Sequence, residues 1–411
     1  MSPAAVSDSN QYELVHLTDK QVIEFTRRQN SEAWKGRLSM EDYVLRENVL
    51  GKSKITSSDV NRLVVYMLQR VNDGTPLCSI ELLIRKSWKF TFDETTNQVV
   101  QHDILSGCIG GVFTYPEHRK KGYAKIMVDK LVEVAKSELL GPDGFTFLYS
   151  EVGEYYTKNG FMSLPVDLMN IPLTEKDQQQ HEEADIADCV VELVDYHQFE
   201  PLMNEYIEQF KQDIISKVNQ DHKARIAVVP TSDIVDWFHL RSKYISYKLF
   251  HQDKAHQAID FYNESYDSIR YKLEHCQPSK FGLKLYNSDK SKLIGFIVWT
   301  IDWTSTTENY ATVLKIVVFE GDKDSTSIKL LKLMKNHLLQ NPILNQITTK
   351  FVIWESEVSS NVKTFLVDEW NTKHGIENGS RSAVLMNNEL EDNLLRSNDL
   401  LWEGNDKIPW F

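Results

Sequence analysis

The sequence has few cysteines and no long apolar run, and these two absences exclude several classes of protein. Four cysteines lie far apart in 411 residues, and none forms a C-x-x-C pair. Neither a disulfide framework nor a zinc site is therefore predicted. No stretch approaches the ~18 consecutive apolar residues of a membrane span, and the polar residues 1–10 do not resemble a signal peptide. We expect a soluble protein without a metal, located in the cytoplasm or also in the nucleus.

Basic residues are in the minority, with 46 Lys and Arg against 59 Asp and Glu and a net charge of −13. Such a surface repels a polyanionic backbone, so nucleic acid is not expected as a partner, nor is a membrane. The acidic surface would attract amines, although the same charge also serves solubility. The length favours two or three domains.

A mixed α/β domain is predicted at residues 10–172. The strand predicted at 105–113 carries Gly107, Gly110 and Gly111, which favour a bulge because glycine weakens a regular strand. Asp19 has the chemistry of a helix N-cap. Hydrophobic periodicity and turn residues predict, in chain order, strands at 12–19, 63–68, 78–84 and 105–113, a helix at 124–140, a strand at 145–150 and a short helix at 154–159.

The rest of the chain divides into two predicted parts. Residues 173–280 begin with a polar, acidic linker at 174–188 and continue as a helical segment rich in Tyr, His and charge. The sequence of this segment indicates no catalytic or binding motif. Residues 281–411 repeat the order of the first domain, with a hairpin, a third strand, a helix and a fourth strand. An internal structural repeat is therefore predicted.

The charged turn at residues 116–124 joins a strand to a helix and is the strongest candidate for an anion site. The first N–H groups of a helix lack intrahelical partners, and the helix dipole is positive there, so a pyrophosphate can bind them directly. Gly122 and Ala124 leave room for that approach, and Arg119, Lys120 and Lys121 add positive charge. Three basic residues on a turn are also typical of a solvated surface.

Two motifs in this region resemble a known family. The pattern P-x-x-R-x-x-G-x-A at residues 116–124, followed by Y-x-x-x-G-F at 156–161, resembles motifs A and B of the Gcn5-related N-acetyltransferase (GNAT) family. The resemblance covers residues 12–172. It implies a mostly antiparallel sheet flanked by helices, acetyl-CoA as acyl donor, and direct attack of an amine on the thioester.

The resemblance also implies which residues contact acetyl-CoA. The backbone of the strand before the turn would bind the pantetheine arm like an added strand, and one of its N–H groups would meet the oxyanion. The turn itself would hold the pyrophosphate through backbone amides. The residues at these positions are Val112, Phe113, Thr114, Arg119, Lys120, Lys121, Gly122, Tyr123 and Ala124.

The catalytic residues are predicted less specifically than the cofactor site. Tyr156 matches the general acid of the family, which would protonate the departing thiolate, but a Tyr on a short apolar helix can also be a packing residue. Three carboxylates are candidates for the general base: Glu81 within an apolar strand, Glu151 after the strand that ends beside the thioester, and the terminal carboxylate of Phe411. Glu81 and Glu151 can each be structural instead.

The layout of the whole chain suggests a substrate. A GNAT domain followed by a second part is similar to fungal lysine N6-acetyltransferases, which implies the N6 amine of free lysine as acceptor. Two alternatives remain: an acetyltransferase of protein lysines or N-termini, and a non-catalytic module that binds acetyl-CoA. Residues 320–324 are acidic where the first repeat is basic, so we expect the second GNAT-like domain to lack a cofactor site and to shape the amine pocket.

Overall fold

The structure is a computed structural model that describes residues 9–173, 188–252, 258–303, 309–341, 344, 348–375 and 381–411. All but the last residue of the predicted linker at 174–188 lies outside the described residues. None of the described helices is long and apolar enough to cross a membrane.

Strands and helices follow one another in both halves of the chain. The strands are β1 (Tyr12–Leu17), β2 (Arg62–Arg70), β3 (Pro76–Asp93), β4 (Gln98–Thr114), β5 (Phe145–Ser150), β6 (Met162–Pro165), β7 (Leu168–Pro172), β8 (Cys189–Asp195), β9 (Ala224–Val228), β10 (Lys280–Asn287), β11 (Leu293–Asp302), β12 (Asn309–Val318), β13 (Thr348–Trp354), β14 (Lys373–Gly375), β15 (Arg381–Met386) and β16 (Leu400–Glu403). The helices are α1 (Lys20–Trp34), α2 (Met40–Leu50), α3 (Lys54–Ser57), α4 (Tyr123–Val134), α5 (Glu200–Asp221), α6 (Ser232–Ser246), α7 (Tyr266–Leu273), α8 (Lys323–Gln340), α9 (Ser360–Trp370) and α10 (Glu389–Arg396).

Two sheets organise these elements. The first has the order β1-β2-β3-β4-β5-β15-β6, with β9 beside the extended part of β3 and β16 beside β9. The second has the order β14-β7-β13-β12-β11-β10-β8. Most neighbouring strands are antiparallel, and the parallel pairs are β4 with β5, β9 with β16 and β12 with β13. The predicted mixed, mostly antiparallel architecture with flanking helices is confirmed.

The two halves exchange strands. β15, from the last part of the chain, inserts between β5 and β6 of the first sheet. In return, β7 inserts between β13 and β14 of the second sheet. One hydrophobic core consequently contains residues of both sheets, such as Phe147 and Ile353. The division of the chain at residues 172 and 280 stays a prediction, and strand pairing crosses it in both directions.

The predicted repeat is confirmed, since β2-β3-β4-α4-β5 and β10-β11-β12-α8-β13 follow the same order. Asp19 caps α1 as predicted, because its side chain accepts hydrogen bonds from the N–H groups of Gln21 and Val22. The hairpin of β3 and β4 is longer than predicted. Its outer part pairs with β9, and this packing stabilises polar, aromatic-rich segments whose alternation is weak in the sequence.

Candidate active site

A gap opens where β4 and β5 separate. The two parallel strands pair from Ser106 and Phe145 to Ile109 and Leu148, and then diverge. Beyond Ile109, β4 has β3 on one side and no described strand on the other. The segment with Val112, Phe113 and Thr114 therefore presents backbone groups along an open edge, where an extended ligand could pair with them.

The glycine-rich part of β4 bends as the sequence predicts. The register between β3 and β4 shifts between Ser79 and Glu81, which places a bulge opposite them in β4. Gly111 has φ +57°, in the left-handed region that favours glycine. A Cβ atom on this residue would lie 3.3 Å from Cγ of Glu81, so the bulge brings the Glu81 side chain directly against the strand.

The turn between β4 and α4 has free backbone donors. Gly122 is the N-cap of α4 with φ +82°, and no described side chain caps the helix. The N–H groups from Lys120 to Ala124 have no hydrogen-bond partner among the described residues. No atom of the part of the chain that the structure describes lies within 4 Å of the position that a Cβ of Gly122 would take. Free amides around an open glycine at a helix N-terminus fit a pyrophosphate.

The basic side chains of the turn contribute less than their number suggests. Arg119 turns back along the strand, where Nε donates to the carbonyl of Thr114 at 3.1 Å and Nη1 to Glu32 at 2.9 Å. Lys121 donates to the carbonyl of Glu117 at 3.1 Å. Lys120, Arg119 and Lys121 are all exposed. The backbone amides are thus the donors that the fold directs at the open end of the helix, whereas the exposed charges are screened by salt.

Tyr156 lies on the short turn that follows β5 and is nearly buried, at 9% exposure. Asn159 holds this turn against α4, because its Nδ2 donates to the carbonyl of Lys125 at 3.0 Å and to Asp129 at 2.7 Å. Burial raises the pKa of Tyr156 to about 12, so the phenol keeps its proton at neutral pH and can donate it. No described residue forms a hydrogen bond with its hydroxyl.

Glu81 is the predicted base candidate with the most unusual surroundings. The side chain is partly accessible and is surrounded by protein on most sides. Burial raises the pKa of Glu81 to about 7, against the opposing effect of Arg27. A carboxylate with a pKa near neutrality suits a general base at physiological pH.

The other two base candidates differ in burial. Glu151 is exposed after the end of β5. Phe411 is partly buried, and its ring packs on β4, because a Cβ on Gly110 would lie 2.8 Å from the ring. The buried guanidinium of Arg85 fixes the tail, since Nη1 donates to the carbonyls of Ile408 and Pro409 at 3.1 and 3.2 Å. The structure thus brings Glu81 and Phe411 together at the bulge and leaves Glu151 at the surface.

Glu81 shares charged neighbours with a second group of residues, because Arg46 and Glu47 influence both its pKa and that of Arg241. Arg241 of α6 lies 4.0 Å from Asp302 at the end of β11, and both influence the pKa of Lys407 in the C-terminal tail. We call the group formed by Glu81, Arg241, Asp302, Lys407 and Phe411 the charged cleft. Arg241, Asp302 and Lys407 are not predicted as site residues from the sequence. The available signal was a charge at the end of an apolar strand for Asp302 and a charge beside an apolar tail for Lys407.

The corresponding gap of the second sheet has different chemistry. The N-terminus of α8 is capped by Asp322, whose side chain accepts from the N–H of Ser325 at 2.8 Å. A carboxylate already occupies the position that a pyrophosphate would need. A cavity of about 780 Å³ lies here, and Lys315 in its wall is paired with Glu357 at 2.8 Å and Asp406 at 2.6 Å. This cavity is separate from the free amides of the first half.

Several known proteins are similar to this chain in sequence or in fold. Residues 170–411 match the family described as LYC1 GNAT-like C-terminal domain. An uncharacterised protein of Saccharomyces cerevisiae is 26% identical over an alignment of 443 residues, which covers 98% of this chain and 100% of that protein. A lysine acetyltransferase of Yarrowia lipolytica is 30% identical over 166 residues, 36% of this chain and 40% of that protein.

The fold is also similar to that of a solved structure. A probable N-acyltransferase from Enterococcus faecalis V583 superposes with a TM-score of 0.51 at 11% identity, over 91% of this chain and 72% of that chain. This likeness concerns the arrangement of both sheets, because the share of the chain that it covers includes both halves.

Proposed function

The chain belongs to the GNAT family of N-acetyltransferases, and we propose that it uses acetyl-CoA to acetylate the N6 amine of free lysine. The choice of acetyl-CoA as acyl donor rests on the row of free amides from Lys120 to Ala124 beside the open edge of β4. These groups fit a pyrophosphate and an extended pantetheine arm. The Yarrowia relative that is called a lysine acetyltransferase supports the choice of lysine.

In the proposed mechanism acetyl-CoA supplies the activated acetyl group, and the protein positions it and moves two protons. Backbone amides of the turn and of the segment from Val112 to Thr114 hold the donor in the gap. Glu81 accepts a proton from the substrate ammonium, directly or through a water, because its raised pKa lets it exchange protons near neutral pH. Tyr156 donates the proton that the departing thiolate needs.

The surroundings of Glu81 favour a small acceptor over a protein segment. The C-terminal tail, fixed by Arg85, borders the cleft on one side. Trp237 of α6 borders it on another, with its ring 6.0 Å from that of Phe411. A folded protein substrate would need an open groove at this place, whereas a single amino acid can enter a cleft of this kind.

An amine panel tests the proposal. The purified chain is incubated with acetyl-CoA and with lysine, ornithine, spermidine or lysine-containing peptides, and CoA release is measured. We expect turnover with lysine to exceed turnover with every peptide. Turnover with peptides alone would favour the protein-acetylating alternative. Binding of acetyl-CoA without turnover of any amine would favour the non-catalytic one.

A further inference from the structure

Lys407 is a cation without an anionic partner. No described residue forms an ion pair or a hydrogen bond with its Nζ, which lies 3.6 Å from the ring centre of Trp410 and 5.0 Å from that of Phe238. The side chain remains partly accessible. Burial lowers the pKa of Lys407 to about 8, although Asp302 and Glu151 act in the opposite direction from a distance.

Arg241 is in a similar position on the neighbouring helix. Its guanidinium makes no hydrogen bond with the described residues, and its single ion pair there, with Asp302, is at the long distance of 4.0 Å. The side chain is 29% exposed, and burial lowers the pKa of Arg241. Arg241 also lowers the pKa of Lys407, and Arg46 lowers that of Arg241, because like charges stand close together.

Two other buried cations are paired closely with carboxylates, whereas the buried Arg85 and Lys243 are held by backbone carbonyls. Lys315 lies 2.8 Å from Glu357 and 2.6 Å from Asp406. Arg225 lies 2.6 Å from Asp221 and 3.0 Å from Glu403. Desolvated cations without such partners are costly for a fold and are typical of sites that receive an anion.

Asp302 adds one negative charge to the same end of the charged cleft. Its Oδ2 accepts a hydrogen bond from Thr312 at 2.6 Å, and its Oδ1 faces Arg241. Glu47 acts on Arg241 and Glu151 on Lys407 from farther away, so Asp302 is the one described carboxylate within ion-pair distance of these cations. Two cations with this carboxylate beside them match a zwitterion, because an amino acid carries a carboxylate and an α-ammonium on the same carbon.

Aromatic rings connect this end of the cleft with the bulge of β4. Arg241 lies 5.9 Å from the ring centre of Trp237, whose ring is 6.0 Å from that of Phe411. The ring of Phe411 rests on Gly110, next to the bulge that contacts Glu81. An aliphatic side chain could lie along these rings, with its amine at Glu81 and its main-chain groups at Arg241 and Lys407.

We propose that Arg241 and Lys407 bind the carboxylate of a free amino acid while Asp302 binds its α-ammonium, so that this end of the charged cleft selects free lysine over other amines. The inference rests on the proposed acetylation of free lysine. It concerns recognition, and it assigns none of the three residues a role in proton transfer.

Cadaverine tests the inference, because it is lysine without the carboxylate. We expect the wild-type kcat/KM for lysine to exceed that for cadaverine by about 100-fold or more. Arg241→Met and Lys407→Met should each raise KM for lysine roughly 30-fold to 1000-fold and leave kcat/KM for cadaverine unchanged or higher. Lys407→Arg keeps the charge and should retain most of the preference. Lys292→Met, at an exposed surface lysine, is the control.

The outcomes separate this inference from the proposed function. Equal losses for lysine and cadaverine in both Met variants, with normal circular dichroism, would show a structural role and overturn the inference while the function stands. Absence of lysine turnover by the wild type would contradict the function. In that case the binding inference is still tested by calorimetry with lysine. An unchanged lysine Kd in the Met variants would overturn it, and a loss of lysine binding in these variants would support it.

Discussion

Replacing Glu81 with Gln should abolish most of the activity and at the same time stabilise the protein. If Glu81 accepts the proton of the substrate ammonium, Glu81→Gln should lower kcat by roughly 10²-fold to 10⁴-fold, the usual range for a general base. The wild-type kcat/KM should rise with pH through an apparent pKa of about 7, and this limb should be missing in the variant.

The expected change in stability follows from the same pKa. Burial raises the pKa of Glu81 from its ordinary value of 4.5 to about 7, so ionisation is less favourable in the folded chain than in the unfolded one. At 1.36 kcal/mol per unit, the penalty is roughly 3 kcal/mol when the carboxyl is fully ionised. It is absent below pH 4.5, grows as the pH rises and is complete above the folded pKa of about 7. Glutamine has no such penalty.

Urea unfolding at two pH values measures this difference. The stability advantage of Glu81→Gln over the wild type should grow by roughly 1 kcal/mol between about pH 6 and about pH 9. Glu94→Gln is the matched control, since Glu94 is an exposed carboxylate directly after β3, the strand of Glu81, and it should change neither kcat nor stability. A Glu81→Gln protein with wild-type kcat would refute the assignment. Loss of activity in a chain that ends in the carboxamide of Phe411, which keeps the ring and removes the charge, would then identify the terminal carboxylate as the base.

Further variants test the other parts of the site. Gly122→Glu should raise the Kd for acetyl-CoA by about 100-fold or more in calorimetry, because a carboxylate would stand among the free amides. Gly74→Glu is the control, at another left-handed glycine with open space around it, and should leave the Kd unchanged. Equal Kd values for the two variants would disprove the site. Arg119→Ala should change the Kd less than fivefold or so, since this arginine is exposed and screened. Tyr156→Phe should bind acetyl-CoA normally and lose roughly 10²-fold to 10⁴-fold in kcat; a wild-type kcat would show that the ring only packs. Arg85→Met should lower the free energy of unfolding by about 2 kcal/mol or more, because buried carbonyls lose a charged donor; unchanged urea unfolding would contradict the described clamp on the tail.

Local patterns predicted much of the first sheet. The bulge at the glycines of β4 and the N-cap at Asp19 are decided by residues close in sequence, and the structure has both as predicted. The free amides before α4 could also be predicted, because a glycine before a helix leaves them without partners through local geometry alone.

The exchange of strands and the charged cleft could not be predicted in this way. β15 lies beside β5 although more than two hundred residues separate them, and no periodicity encodes which sheet a strand joins. Arg241, Asp302 and Lys407 come from a helix, a strand and a tail that meet through tertiary packing. In the sequence, Arg241 lies in a segment where charge and aromatic residues alternate, which is equally typical of an ordinary amphipathic helix.

The most direct test of the account is to determine which nitrogen of lysine receives the acetyl group. The purified chain is incubated with acetyl-CoA and with lysine that carries ¹⁵N at the ε position, and the product is examined by fragmentation mass spectrometry and by NMR. The account predicts a single product, N6-acetyllysine, in which the labelled nitrogen has become an amide, and it predicts that Gly122→Glu forms none of it at low acetyl-CoA. Acetylation of the α nitrogen, or of peptide lysines with free lysine left unmodified, would contradict it.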